Sequence, residues 1–153
     1  MAPRYIEDSI LVEAPASVIF DIVADPRQHS RIDGSDTVRG GITGPDRLTR
    51  GAEFGVDMRM FGVRYRIRNW VVEYEPDRVI AWRHFGGHRW RYTLIPRGAA
   101  TTVTETFDYT RSNVLSRVVI SVLGMRRRNR RSIPATLQRL KHAAEADVAA
   151  QAG

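Results

Sequence analysis

The 153-residue sequence contains no cysteine, and that absence removes disulfide staples, thiolate metal sites and cysteine nucleophiles together. Lysine is almost missing too: 23 of the 24 basic residues are arginine, and Lys141 is the exception. No apolar run approaches the ~20 residues that would span a bilayer, and residues 1–10 lack the basic-then-apolar order of a secretory signal. The expectation is a soluble, cytoplasmic protein without integral membrane association. Acidic residues are outnumbered, 17 against 24, which gives a formal charge of +7 and a pI near 10.7. Such a surplus would permit binding to phosphates or to an anionic membrane. The skew toward arginine, however, reads as the coding bias of a GC-rich genome, and no nucleic-acid motif accompanies it, so nucleic acid is not an expected partner. The four histidines, His29, His84, His88 and His142, suggest no metal site and no cofactor.

What the chain does have is dense helix and strand punctuation. At this length one domain over residues 1–153 can bury roughly two thirds of its unfolded surface. Residues 5–13 read as an opening strand with Ile6, Ile10 and Val12 apolar. Pro15 then sits where a first-turn proline belongs, and Val18, Ile19, Ile22 and Val23 form a helical stripe that stops at Asp25. Pro26 disfavours helical geometry before it, and Asp25 with Gln28 reads as a capping box for a second short helix ending near residues 32–34. Residues 36–50 are rich in Gly, Pro and Asp and read as loop, with a possible short strand at 38–42.

The strands that follow can be paired on paper. In residues 52–60, Phe54, Val56, Met58 and Met60 share one face. A two-residue turn at Phe61-Gly62 sets Met60 against Val63, Met58 against Tyr65, Val56 against Ile67, and Asp57 against Arg66 outside. Parity slips beyond Asn69, which predicts a bulge near residues 68–70. Residues 78–84 form the next strand, and a three-residue loop centred on Gly87 would match His84 with Trp90, Trp82 with Tyr92, and Ile80 with Leu94. The strand 101–110 then pairs Leu94 with Val103, Tyr92 with Glu105, Trp90 with Phe107, and Arg89 with Asp108 outside. Two inward rows follow: His84, Trp90, Phe107 and Trp82, Tyr92, Glu105.

From Ser112 or Asn113 as cap, a helix with Val114, Leu115, Val118, Val119, Val122 and Leu123 as apolar face runs to Gly124. After the arginines of residues 126–131, Ile133, Leu137, Leu140, Ala144 and Val148 make the stripe of a closing helix. Pro134 either kinks that helix or sits in its first turn behind Ser132.

Residues 14–26 (APASVIFDIVADP), 29–35 (HSRIDGS), 71–76 (VVEYEP) and 137–141 (LQRLK), in this order across nearly the whole chain, resemble the START-related helix-grip superfamily (SRPBCC), in particular its bacterial polyketide cyclase/dehydrase-like branch. The resemblance implies an α+β fold: a curved antiparallel β-sheet wrapped around a long C-terminal α-helix, with two short helices after the first strand and a deep cavity between sheet and helix. It implies no single reaction, because the members include carriers, receptors and cyclases. It also puts His29 and Asp33 near the cavity mouth, where capping and loop contacts would explain them equally well.

From spacing alone the aromatic rows are either packed core or cavity wall; the resemblance favours a cavity. Phe54, Met58, Tyr65, Trp82, Trp90, Phe107 and Leu137 are the expected ligand contacts. Glu105 on an inner face needs a partner or a proton, and Tyr92 opposite it is the nearest candidate. With His84 these are the candidate catalytic residues, able to polarise a carbonyl or move a proton in an aldol-type cyclisation and dehydration; a structural hydrogen bond is the plainer account. The expected function is binding or carriage of an apolar or aromatic small molecule (polyketide, lipid or isoprenoid-like), with a cyclase/dehydratase-type enzyme as the alternative. The arginines of 126–131 and of the outer sheet face (Arg64, Arg66, Arg68, Arg83, Arg89, Arg91) are expected to be solvated surface.

Overall fold

The computed structural model describes residues 4–38, 41–84 and 86–153. In chain order the elements are β1 (Tyr5–Val12), α1 (Ala16–Val23), a 3-10 turn (Pro26–Gln28), α2 (His29–Ile32), β2 (Glu53–Met60), β3 (Val63–Glu75), β4 (Val79–Arg83), β5 (Arg89–Arg97), β6 (Ala100–Asp108), α3 (Val114–Val122) and α4 (Met125–Ala152). The six strands form one curved antiparallel sheet in the order β1-β6-β5-β4-β3-β2. Because β1 returns to pair with β6, the two helical segments that follow β1 are brought against α4, which crosses the sheet on the side of β1 and β6. This is the helix-grip arrangement that the resemblance implies.

Local chemistry explains the boundaries. Pro15 takes the N-cap position of α1, whose Ile19, Phe20, Ile22 and Val23 are buried. Asp25 caps the 3-10 turn by accepting the Arg27 N–H at 3.0 Å, whereas Gln28 reaches Arg31 and leaves the reciprocal half of a capping box unmade. The Gly34 N–H donates to Thr136 Oγ1 at 2.9 Å and ties the end of the short helices to α4. Of the proposed strand at 38–42, Arg39 and Gly40 lie outside the described residues; Val38 and Thr43 make isolated bridges to Met58 and Gly55 on β2.

The β2–β3 register is the predicted one, with Met58 opposite Tyr65 and Asp57 opposite Arg66, the last pair 3.6 Å apart as ions. The predicted bulge lies further along, between Val71 and Glu73 in the β3–β4 pairing. The β5–β6 register also matches, including Tyr92 opposite Glu105 and Trp90 opposite Phe107. Outside, Arg89 faces Asp108 in register, yet its guanidinium bonds Glu73 at 3.2 Å, and Arg91 is the ion nearer to Asp108 at 3.7 Å.

The β4–β5 register departs from expectation by two residues: Trp82 pairs with Trp90, and Ile80 with Tyr92. The rows across three strands are therefore Trp82, Trp90, Phe107 and Ile80, Tyr92, Glu105. His84 leaves the strand, and the connection spans residues 84–88, of which Phe85 lies outside the described residues. The longer loop has a tertiary cause. Gly87 has φ 86°, and a Cβ there would stand 2.7 Å from the Arg111 carbonyl oxygen, while one on Gly86 would stand 2.7 Å from Ser116 Oγ. Contact with the segment leading into α3 thus sets the loop, and the two-residue shift preserves parity.

Asn113 caps α3 by accepting the Ser116 N–H at 2.8 Å. Gly124, left-handed at φ 64°, breaks the chain between α3 and α4. Helix α4 begins at Met125, so the arginines of 126–131 form its first turns, and Pro134 lies inside it. The predicted stripe of Ile133, Leu137, Leu140 and Ala144 is buried. The apolar face assigned to α3 is not: only Ile120 of that helix is buried.

Candidate functional site

Between sheet and helices lies a cavity of about 810 Å³, within the size range of small-molecule sites. The sheet supplies Phe54, Val56 and Met58 from β2, Tyr65, Ile67 and Asn69 from β3, and Trp82, Trp90, Tyr92 and Glu105 from β4, β5 and β6. Helix α4 contributes Asn129, Ser132 and Thr136, α3 contributes Leu115, Ser116, Val119 and Ile120, and His29, Ile32 and Asp33 come from the short helices. Of the expected ligand contacts, Phe54, Met58, Tyr65, Trp82 and Trp90 stand on this wall. Phe107 and Leu137 do not: both are fully buried behind it. Phe107 is wedged between Trp90 and Tyr109, with ring centroids 4.8 and 5.8 Å away, and Leu137 belongs to the packed stripe of α4.

Glu105 and Tyr92 are brought together. Each is buried, and the Tyr92 hydroxyl donates to Glu105 Oε1 at 3.1 Å. Burial pushes the Glu105 carboxyl up to about 8, with the charge of Asp33 adding to the rise and the Tyr92 bond opposing it. Burial also raises the Tyr92 phenol well above its ordinary range. Near neutral pH Glu105 is thus mainly a neutral acid, and its second oxygen, Oε2, is buried without a hydrogen-bond partner among the described residues. A protonated oxygen facing a cavity can donate to a carbonyl or a hydroxyl.

His84 is not beside that pair. Its ring meets His88, with centroids 4.5 Å apart in an edge-to-face arrangement. Burial pushes His84 down to about 3, helped by the neighbouring His88, while burial alone pushes His88 down to about 4. Both imidazoles are neutral through the physiological range, and each leaves Nδ1 buried and unpartnered among the described residues. A weakly basic, neutral imidazole orients a hydroxyl better than it abstracts a proton from carbon.

His29 and Asp33 line the cavity but are engaged. His29 Nε2 donates to the Val23 carbonyl at 2.8 Å, and its ring stacks on Trp82 at 4.9 Å. Asp33 accepts from Ser35 N and Val38 N, both at 2.9 Å, closing a turn. Capping and loop contacts account for both residues.

The profile of the polyketide cyclase/dehydrase and lipid transport family matches residues 4–145. The chain belongs to that family. A relative in it by sequence is the uncharacterized protein Rv0088 of Mycobacterium tuberculosis, 41% identical over 143 residues that cover 90% of this chain and 63% of that one. The chain therefore spans less than two thirds of its length. Among solved structures, the Zhui aromatase/cyclase from Streptomyces sp. R1128 superposes with a TM-score of 0.73 at 18% identity, covering 95% of both chains. Protein NE0264 from Nitrosomonas europaea superposes at 0.69 with 14% identity, covering 97% of this chain and 99% of that one. At such identities the likeness establishes the fold of this family member and not its chemistry.

Several wall residues are absent from the sequence-derived candidates. Asn129, Ser132 and Thr136 give α4 a second, polar stripe that is buried because it faces the cavity; polar residues on a helix ordinarily signal solvent. Asn69 Oδ1 and Asn129 Nδ2 join Glu105 Oε2 as buried atoms without a partner among the described residues. His88 is missing from the candidates too, although its four-residue spacing from His84 is plain in the chain.

Proposed function

We propose that the protein binds and carries an apolar or aromatic small molecule of polyketide, lipid or isoprenoid-like type in the cavity between sheet and α4. Its polar end lies against Glu105 and Tyr92. The observation that carries this reading is a cavity wall, mostly aromatic and aliphatic, whose lining residues include Glu105, Asn69 and Asn129, each with a buried polar atom that lacks a partner among the described residues. Buried polar atoms are normally satisfied; a ligand carrying a carbonyl or hydroxyl at the end of an apolar body would give the protonated Glu105 carboxyl such a partner. The family description, which joins cyclases and dehydrases with lipid transport, accords with such a role.

A second reading is favoured by one feature. Glu105 holds its proton up to about pH 8 and offers it from an oxygen without another partner, as a general acid for carbonyl activation in a cyclisation and dehydration would. Tyr92 would hold that carboxyl in place, and His84 would orient a substrate hydroxyl. Both readings assign ligand contact to Phe54, Met58, Tyr65, Trp82 and Trp90.

Native mass spectrometry of freshly purified protein tests the shared claim. A co-purified apolar molecule is expected; an empty protein that also fails to take up a fluorescent fatty acid would overturn both readings. Glu105→Gln, Tyr92→Phe and His84→Asn then separate them. A carrier loses affinity, whereas an enzyme keeps its affinity and loses about 10²-fold or more in turnover at Glu105.

A further inference from the structure

Helix α3 has the sequence VLSRVVISV, six aliphatic residues in nine, yet it lies with most of them outward. Val114, Leu115, Val118 and Val122 are 68%, 74%, 52% and 78% exposed. On the other side of the cavity mouth the β2–β3 turn exposes Phe61 and Val63. Phe61, Val63, Leu115, Val119 and Leu123 are at once exposed and part of the cavity wall, so the apolar rim is continuous with the interior. Soluble chains seldom leave so much contiguous apolar surface uncovered without a use for it.

On the helical side of this rim the charge has one sign. Residues 109–144 hold nine basic side chains and no aspartate or glutamate. Several arginines on the outer sheet face have acidic partners, among them Arg66 with Asp57 at 3.6 Å and Arg91 with Glu73 at 2.8 Å. Among the described residues no acidic side chain pairs with Arg117 or with any arginine of the first turns of α4. Arg128 instead lies 5.0 Å from the ring centre of the exposed Phe61, joining the two sides of the rim.

We propose that this face, made of α3, the β2–β3 turn and the first turns of α4, docks on an anionic lipid surface, with the aliphatic side chains in the headgroup–acyl boundary and the arginines on lipid phosphates. The cavity mouth then opens onto the bilayer, whether the cavity carries or converts its ligand. Charge selects this occupant over a second copy of the chain. A two-fold contact through the same face would set unpaired arginines against unpaired arginines, whereas an anionic bilayer accepts both the apolar groups and the positive charge. An apolar helix ringed with arginine, rather than arginine alone, is what separates this surface from a solvated basic patch.

Flotation with vesicles tests it, using phosphatidylcholine alone and phosphatidylcholine with phosphatidylglycerol in equal parts. The unaltered protein should bind the anionic vesicles, with partitioning that weakens as salt is added, and bind the neutral ones far less. The pair Val118→Asp and Val122→Asp, which lies off the cavity wall, should reduce binding by about ten-fold or more. So should Arg127→Glu with Arg130→Glu, an independent change on another element. Neither variant should alter the content of the cavity, so failure here is distinguishable from failure of the ligand reading. The proposal is overturned by absent or equal binding to the two vesicle types, or by variants that bind like the parent. It is also overturned by a parent that self-associates and becomes monomeric on Val118→Asp and Val122→Asp.

Discussion

The deep end of the cavity and its mouth invert the ordinary arrangement of side chains in opposite ways. Inside, Glu105 Oε2, Asn69 Oδ1 and Asn129 Nδ2 are polar and buried without partners among the described residues; at the mouth, Leu115, Val119 and Phe61 are apolar and exposed. Behind the cavity wall lies an ordinary packed layer of Phe107, Leu137, Leu140 and Val103, none of them exposed. A polar atom buried alone costs stability, and an apolar group left in water forgoes it. Stability is therefore concentrated in the packed layer behind the wall, and neither end of the cavity adds much to it.

This contrast can be tested by perturbing each region. The largest loss should come from the packed layer behind the wall. Leu137→Ala deletes fully buried methyl groups and is expected to cost about 2–5 kcal/mol, read from urea unfolding. A loss below about 1 kcal/mol would mean that the packed layer is looser than its burial indicates.

The deep end should announce itself through pH. With its carboxyl raised from 4.5 to about 8, folded Glu105 retains a proton that the unfolded chain has released, so its contribution falls as pH rises between those values. His84 and His88, pushed below their ordinary 6.5 to about 3 and about 4, act with the opposite sign. The unfolded chain takes up protons there that the folded chain refuses, and stability falls as pH drops below 6.5. Between pH 6.5 and 8 the unfolded chain's His84 and His88 give up their remaining protons and oppose Glu105, so a net decline of roughly 1 kcal/mol is expected, most of it above pH 7. Glu105→Gln should flatten that limb and leave the acid limb intact; an unchanged decline would assign the titration elsewhere.

The smallest effect belongs to the mouth. Val118→Ser with Val122→Ser should shift stability by no more than about 0.5 kcal/mol, because neither side chain is buried. A loss of more than 1 kcal/mol would show that α3 folds inward in solution.

What could be read from the chain, and what could not, follows the same division. Tyr92 opposite Glu105 was legible because strand parity and the outer charged residues agree on one register. The β4–β5 pairing was not, since its loop length depends on Gly86 and Gly87 fitting against Ser116 and Arg111, a contact remote in sequence. The two exceptional ends carry no plain local signal, for complementary reasons. Apolar spacing in α3 implies burial by default, so its outward aliphatic face carries no local signal. Asn129, Ser132 and Thr136 imply solvent by default, although they face an internal space. Bulges are similarly hard to place: parity slips visibly after Asn69, but the irregularity falls between Val71 and Glu73, where the partner strand and not the pattern decides.

The distribution of tryptophan has a practical consequence. Trp82 and Trp90 both border the cavity, while Trp70 sits apart, with the Arg83 guanidinium 5.1 Å from its ring centre. Two of the three indoles are thus in contact with whatever fills the interior, and one of those two is already stacked on His29. The chain thus offers its own optical gauge: filling of the pocket should register in native emission, without a label and without altering any side chain.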